Sequence, residues 1–186
     1  MKKRLFIAYN LPESLKKNIA AEIEKFRYDF TNDIKFLTPD HWHITVTFLG
    51  YQDASAIPAI LSAMESAVEK ETEDNIIQLT DITYGPIKGT PRMIWLNGDR
   101  ATSDRMTGLK DILDMRMIEN GVMFRQDNRR FNTHITLARF NRIAENDMPK
   151  LAVPFKKTFP IESLDLMESH LGKEGATYEL LQKIKW

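Results

Sequence analysis

The 186-residue chain contains no cysteine. Disulfides, thiol nucleophiles and thiolate metal centres are therefore excluded. It also lacks any apolar run near the ~20 residues that span a bilayer. The start, Met1-Lys2-Lys3-Arg4, is basic, but only residues 5–9 are apolar before Asn10, Pro12 and Glu13. That falls short of the roughly 7–15 apolar residues of a secretory leader, and no small-residue cleavage site comes after it. The chain therefore reads as cytoplasmic, with no membrane partner. An excess of either charge is missing too: Lys plus Arg and Asp plus Glu are both 26. Proteins that track long nucleic acids usually carry a basic excess. Neutrality points instead to a local pocket for a nucleic-acid end or a small fragment.

What is present is a repeated triplet. His43-Ile44-Thr45 and His134-Ile135-Thr136 each sit in an alternating apolar run that predicts a β-strand. Side chains alternate faces along a strand, so His43 shares a face with Thr45, and His134 with Thr136. Ile44, Val46 and Phe48 are expected on the opposite, buried face, as are Ile135 and Leu137. The chain has 4 histidines, so two such triplets at matching places in two similar segments argue against coincidence.

The remaining pattern predicts a strand over residues 5–10 and a helix starting at Leu11-Pro12-Glu13-Ser14 and running to about Tyr28, with Leu15, Ile19, Ile23 and Phe26 inward. A short strand is expected at residues 35–37, then the first histidine strand to Leu49-Gly50. A helix capped by Asp53 or Ser55 is expected to run to Lys70, with a polar connection over 70–75 after it. Strands are predicted over 76–84 and 93–97, and a helix from Ser103 or Asp104 to Glu119, closed by Gly121. Residues 122–125 read as strand-like. After the second histidine strand, 159–169 and 176–185 read as two strands paired around Gly172 and Gly175.

Two segments repeat one order: strand, helix, short strand, turn, histidine strand. Residues of about 4–50 and 92–140 correspond in this way, which predicts an internal duplication within a single domain over 1–186. Duplicated lobes commonly pack about an approximate two-fold axis, which would bring His43 and His134 together across a shared cleft. The fold class expected is α+β: a bilobal, pseudo-two-fold arrangement of two antiparallel-rich sheets with outer helices and a central cleft.

Other residues admit competing readings. His41 and His43 form a His-x-His pair with metal-ligand spacing, for which His134, Asp40 or Glu13 are further donors. The alternative makes His41 a loop residue and the site metal-free. Arg125, Arg129, Arg130 and Arg139 surround the second triplet and suit a phosphate, although Arg125 and Arg129 read better as surface charge. Arg139 has the opposite parity to His134, so contact with a shared phosphate requires a twist or bulge. Trp42, Trp95, Phe131 and Tyr9 are candidates to stack on a base, with core packing favoured for Trp95. His170 receives no role.

The strings His43-Ile44-Thr45-Val46-Thr47-Phe48-Leu49-Gly50 and His134-Ile135-Thr136-Leu137-Ala138-Arg139 resemble the two signatures of the 2H phosphoesterase superfamily. Within it, the chain most resembles the bacterial 2′-5′ RNA ligase / RNA 2′,3′-cyclic phosphodiesterase family. Phe6-Ile7-Ala8 and Pro91-Arg92-Met93-Ile94-Trp95-Leu96 fit as well. Val46, Thr47 and Asn132-Thr133 depart from the usual pattern without removing a catalytic atom. The resemblance implies a metal- and cofactor-independent phosphodiesterase that opens a 2′,3′-cyclic phosphate to a 2′-phosphate, with reversible 2′-5′ RNA ligation as a further activity. It implies His43 as proton donor and His134 as general base. Thr45 and Thr136 would bind the phosphate, with Arg139 and Arg130 as further candidates. RNA 3′ ends or small cyclic nucleotides are the implied partners, bound by a monomer with no obligate protein partner. The alternatives are a 2H enzyme for another substrate, such as 2′-5′ oligonucleotides or ADP-ribose cyclic phosphate, and a non-catalytic RNA-end or nucleotide-binding module.

Overall fold

The computed structural model describes residues 1–30, 34–70, 75–86, 89–127, 129–140, 148–173 and 175–186. The connection expected over 70–75 lies mostly outside them. The elements are β1 (Lys2–Asn10), α1 (Glu13–Ile23), β2 (Ile34–Phe36), β3 (His43–Asp53), α2 (Ile57–Lys70), β4 (Ile76–Gly85), β5 (Met93–Gly98), α3 (Arg100–Glu119), β6 (His134–Phe140), β7 (Val153–Pro160), β8 (Ser163–Gly172) and β9 (Gly175–Lys185). They build two antiparallel sheets, ordered β3-β1-β8-β9 and β2-β6-β5-β4-β7. The class is α+β, as the sequence pattern implies. Among the described residues, no helix is long and apolar enough to cross a membrane.

One face of each sheet enters a single apolar core. Leu5, Ile7 and Tyr9 of β1, Ile44 and Val46 of β3, and Ile94, Leu96, Ile135 and Leu137 of β5 and β6 all belong to it. The helices add Leu15, Ile19 and Ile23 from α1, Ile60, Met64 and Ala67 from α2, and Met106, Leu109 and Leu113 from α3. On the other face of the first sheet, Phe6, Ala8 and Met167 form a second small cluster under Tyr178. Strand β1 is thus covered on both faces, which is why it reads as a continuous apolar run rather than an alternating one.

The two histidine strands pair in the same way. In β1/β3, Asn10 lies across from His43 and Ala8 from Thr45. In β5/β6, Asn97 lies across from His134 and Trp95 from Thr136. Each pair also shifts register one step beyond the threonine, between Ile7 and Ala8 in one and between Ile94 and Trp95 in the other.

Several elements differ from expectation. Helix α1 stops at Ile23, and Phe26 instead packs with Phe30 and Phe36 at ring-centroid distances of 6.1 and 6.2 Å. A short 3-10 turn, Ala54–Ala56, precedes α2, and no side chain caps it. Helix α3 begins at Arg100 because Asp99 caps it, its Oδ1 accepting from the Thr102 amide at 2.7 Å. Residues 122–125 form no ladder; the Met123 carbonyl accepts instead from the Gln52 side chain at 2.7 Å. The strand expected over 159–169 is split at Ile161 and Glu162 into β7 and β8, which lie in different sheets. Pro160, which lacks an N–H, ends the first of them.

Candidate active site

His43 and Thr45 are half-buried on one face of β3, and His134 and Thr136 on one face of β6. The two strands approach each other although they belong to different sheets. Of the residues singled out in the sequence, the structure brings His43, His134 and Arg139 within electrostatic reach of one another, since charge on either His134 or Arg139 disfavours a proton on His43.

Both imidazoles are oriented by backbone two residues upstream. His134 Nδ1 donates to the Asn132 carbonyl at 2.7 Å. A carbonyl can only accept, so this bond puts the neutral-form proton on Nδ1 and leaves Nε2 as the reactive nitrogen. His43 makes the equivalent bond to the backbone of His41. The walls differ. His43 is held between Phe6, 5.1 Å away, and Tyr178, whose ring meets it edge-on at 5.0 Å and 89°. His134 lies against the Trp95 indole, with centroids 4.0 Å apart. Trp95 in turn covers Gly85 so closely that a Cβ there would lie within 2.6 Å of the indole carbons. These apolar walls exclude water and so disfavour the charged imidazolium. Burial pushes His43 down to about 4, against the pull of the His41 backbone bond. Burial also lowers His134 from its ordinary value, and Arg139 lowers it further.

The register shifts redirect the side chains beyond each threonine. Thr45 and Thr47 pair with the consecutive residues Ala8 and Ile7, so Val46 is the extra residue of a bulge. Leu137 is the extra residue in β6, between Thr136 and Ala138. Each bulge inverts the alternation. Thr47 is therefore buried, and Phe48, expected in the core, is 61% exposed. In β6 the same inversion buries Ala138 and exposes Arg139, returning it to the face of His134 and Thr136. The bulge that a phosphate contact by Arg139 requires is present.

Other candidates lie elsewhere. Arg130 is ion-paired with Asp104 of α3, and Arg129 with Asp127. Arg125 is exposed. His41 uses both ring nitrogens: Nδ1 meets Thr38 Oγ1 at 2.8 Å, and Nε2 donates to the Ala176 carbonyl at 2.9 Å. It is a structural residue, and the His-x-His metal reading loses its second ligand. Glu13 pairs with Lys16 on the outer surface of α1. Among the described residues, one group, Glu168, His170 and Glu179, is close enough to hold a cation. However, Lys3 ion-pairs with Glu168, and Glu168 and His170 alternate with Met167 and so point away from the cleft. Of the aromatic candidates, Tyr9 and Trp42 are core residues, Phe131 packs half-buried against the core, and only Trp95 touches the site. Tyr178 had no signal in the sequence: it sits on β9, far along the chain from either triplet, and reaches His43 only through the sheet.

Comparison with known proteins identifies the family and matches the fold. The family model described as LigT like Phosphoesterase matches residues 11–95 and 105–178. The chain belongs to this family, a branch of the 2H phosphoesterases, and is a phosphoesterase. It is 26% identical to the RNA 2′,3′-cyclic phosphodiesterase of Methanocaldococcus jannaschii over 185 residues, covering 97% of this chain and 99% of that protein. Its fold matches TT0787 of Thermus thermophilus with a TM-score of 0.78 and 27% identity, over 98% of this chain and 97% of the other. The fold of E. coli LigT, crystallised with 3′-AMP, matches at 0.78 and 23% identity, over 100% and 98%.

Proposed function

We propose that this phosphoesterase is a metal-independent cyclic phosphodiesterase that opens 2′,3′-cyclic phosphates at RNA ends or on small nucleotides. The carrying observation is the pair of imidazoles on approaching strands, each oriented by a backbone bond and each influenced by Arg139. A cyclic phosphate needs a base to deprotonate water and an acid to protonate the leaving ribose oxygen. In-line displacement puts these two oxygens on opposite sides of phosphorus, which suits two histidines on facing strands. Thr45 and Thr136 donate their hydroxyls to the non-bridging oxygens, and Arg139 offsets the charge that builds there. Arg130 is left out, because Asp104 occupies its guanidinium. The matching registers of β1/β3 and β5/β6 support reading 4–50 and 92–140 as duplicated units. Both histidines come from one chain, which supports action as a monomer.

The family resemblance assigns the acid to His43 and the base to His134, with a 2′-phosphate as product. A second assignment is favoured by one observation. Burial holds His43 at about 4, making it the harder of the two to protonate and the better placed to start as the neutral base. With a 5′-hydroxyl in place of water as the nucleophile, the same ring opening breaks the P–O3′ bond and forms a 2′-5′ link; in water, hydrolysis dominates.

The test is turnover of adenosine 2′,3′-cyclic phosphate in excess EDTA by wild type, His43→Ala and His134→Ala. EDTA-resistant release of a single phosphate isomer, reduced at least ~10³-fold in both variants, is the expected result. Turnover abolished by EDTA would require a metal mechanism. Tight binding without product would favour a binding module.

A further inference from the structure

Each histidine has an asparagine across its strand pair, and each asparagine reaches an aspartate one strand further on. Asn10 lies in β1, between β3 and β8, and across from His43. Its Nδ2 donates to Asp165 Oδ2 of β8 at 2.5 Å and meets Met167 Sδ at 3.5 Å. Asn97 lies in β5, between β6 and β4, and across from His134. Its Nδ2 donates to Thr83 Oγ1 of β4 at 2.9 Å and reaches Asp81 Oδ1 at 3.5 Å. Carboxylate oxygens accept and do not donate, so in both sheets the nitrogen end of the amide turns away from the histidine strand. The oxygen end turns toward it. Asn10 shares the face of Phe6, whose ring lies 5.1 Å from the His43 imidazole. Residues directly opposite on one face of an antiparallel pair have Cβ atoms about 4.5–5.5 Å apart, which makes Asn10 and His43 neighbours. The two asparagines differ in one respect. Asn97 Oδ1 is enclosed and has no donor among the described residues, whereas Asn10 is half-buried. Asp165, the anchor of Asn10, is fully buried, and its Oδ1 accepts from Ser163 Oγ at 2.6 Å.

Resting on the cyclic-phosphodiesterase reading with His43 as base, we infer that Asn10 holds the attacking water and makes the site prefer water over an alcohol. Water has two O–H bonds. One donates to His43 Nε2, which takes its proton as the oxygen bonds to phosphorus. A P–O bond to the ribose breaks, and that ribose oxygen takes the proton of His134. The second O–H of the water donates to Asn10 Oδ1 and stays on the new phosphate oxygen. Asp165 keeps the acceptor end of the amide, rather than its Nδ2, on that O–H. An alcohol has a single O–H, which the base takes, so its carbon faces Asn10 Oδ1 and leaves the acceptor unpaired. A 5′-hydroxyl is such an alcohol. Asn10 thus tilts the site from 2′-5′ joining toward hydrolysis.

The test opens adenosine 2′,3′-cyclic phosphate in aqueous methanol with wild type, Asn10→Ala, Asp165→Asn and Asn97→Ala. The ratio of methyl phosphodiester to phosphomonoester is read beside kcat and KM. Asn10→Ala is expected to raise that ratio roughly tenfold, through slower hydrolysis at unchanged KM. Asp165→Asn no longer dictates which end of the Asn10 amide faces it, and should raise the ratio by less. Asn97→Ala should leave it unchanged. A side chain that mattered only for folding would slow both reactions and keep their ratio. An unchanged ratio in Asn10→Ala, or a shift in Asn97→Ala instead, overturns the assignment to Asn10. Wild type that opens no cyclic phosphate overturns the cyclic-phosphodiesterase reading itself.

Discussion

The Trp95 indole lies 4.0 Å from the His134 imidazole, centroid to centroid, tilted by 34°. The contact exists because Gly85 on the neighbouring strand has no Cβ. A methyl there would lie within 2.6 Å of the indole carbons, too close for any packing, so the ring must move. Gly85→Ala is therefore expected to cost about 1–3 kcal/mol of stability in denaturant unfolding. It should also lower kcat, since His134 loses the wall that holds its ring. Unfolding and kinetics that both match wild type would show that Trp95 does not position the imidazole.

Acid and base can be separated by the leaving atom. Sulfur in place of O3′ leaves as a thiolate, which needs no proton from the protein. The variant lacking the acid should therefore recover on this substrate, while the variant lacking the base should not. If burial decides the roles, His134→Ala recovers at least ~10²-fold of its loss and His43→Ala remains slow. Recovery of His43→Ala instead would support the polarity implied by the family resemblance.

The pH dependence rests on the same burial. His43 gains a proton only near pH 4 in the folded chain, and His134 also titrates below its ordinary value. The profile of kcat/KM should then be bell-shaped and lie on the acid side of about pH 6.5, falling at higher pH as the acid loses its proton. A flat profile up to about pH 8 would remove one histidine from the chemistry. Stability changes too. Between about pH 6.5 and 4 the unfolded chain binds a proton at His43 that the folded chain does not, so acidification destabilises the fold through this residue. His43→Gln lacks that group and should gain roughly 1–3 kcal/mol relative to wild type as the pH falls through this window, measured by urea unfolding.

The sequence was most legible where period and polarity agree. Alternation placed the two histidine strands, and their threonines shared the histidine face. What escaped were departures of a single residue. The bulges at Val46 and Leu137 have no compositional mark, since both are ordinary apolar strand residues. Strict alternation therefore sent Phe48 to the core and Arg139 away from the site. The strand expected at 122–125 has the right residues but no neighbouring strand to complete a ladder; a glutamine side chain serves its carbonyl instead. Arg130 could not be told from Arg139 by sequence, because its partner, Asp104, is 26 positions away on a helix face. The start of α3, by contrast, carries a local mark in the sequence four or five residues before Ser103 and Asp104: Asp99 is a good cap directly before the helix.

Beneath the β3 bulge lies a buried ion pair that connects the two halves of the site. Lys110 Nζ donates to Asp114 Oδ2 at 2.5 Å and to the Asp127 carbonyl at 2.9 Å. Asp114 also bonds Thr47, the residue that the bulge turns inward. Burial raises the Asp114 carboxyl, and Lys110 and Thr47 oppose that rise. Lys110→Met would remove the main compensation and leave a carboxylate buried with one neutral partner, which typically costs about 3–5 kcal/mol. Converting both partners to apolar residues, Lys110→Met with Asp114→Leu, should return most of that stability, because the desolvation penalty disappears with the charge. The double variant separates stability from positioning. Restored unfolding free energy with kcat still depressed is the result expected if Thr47 and the residue-127 loop hold β3 and β6 at their working separation. Restoration of both would reduce the pair to a structural role.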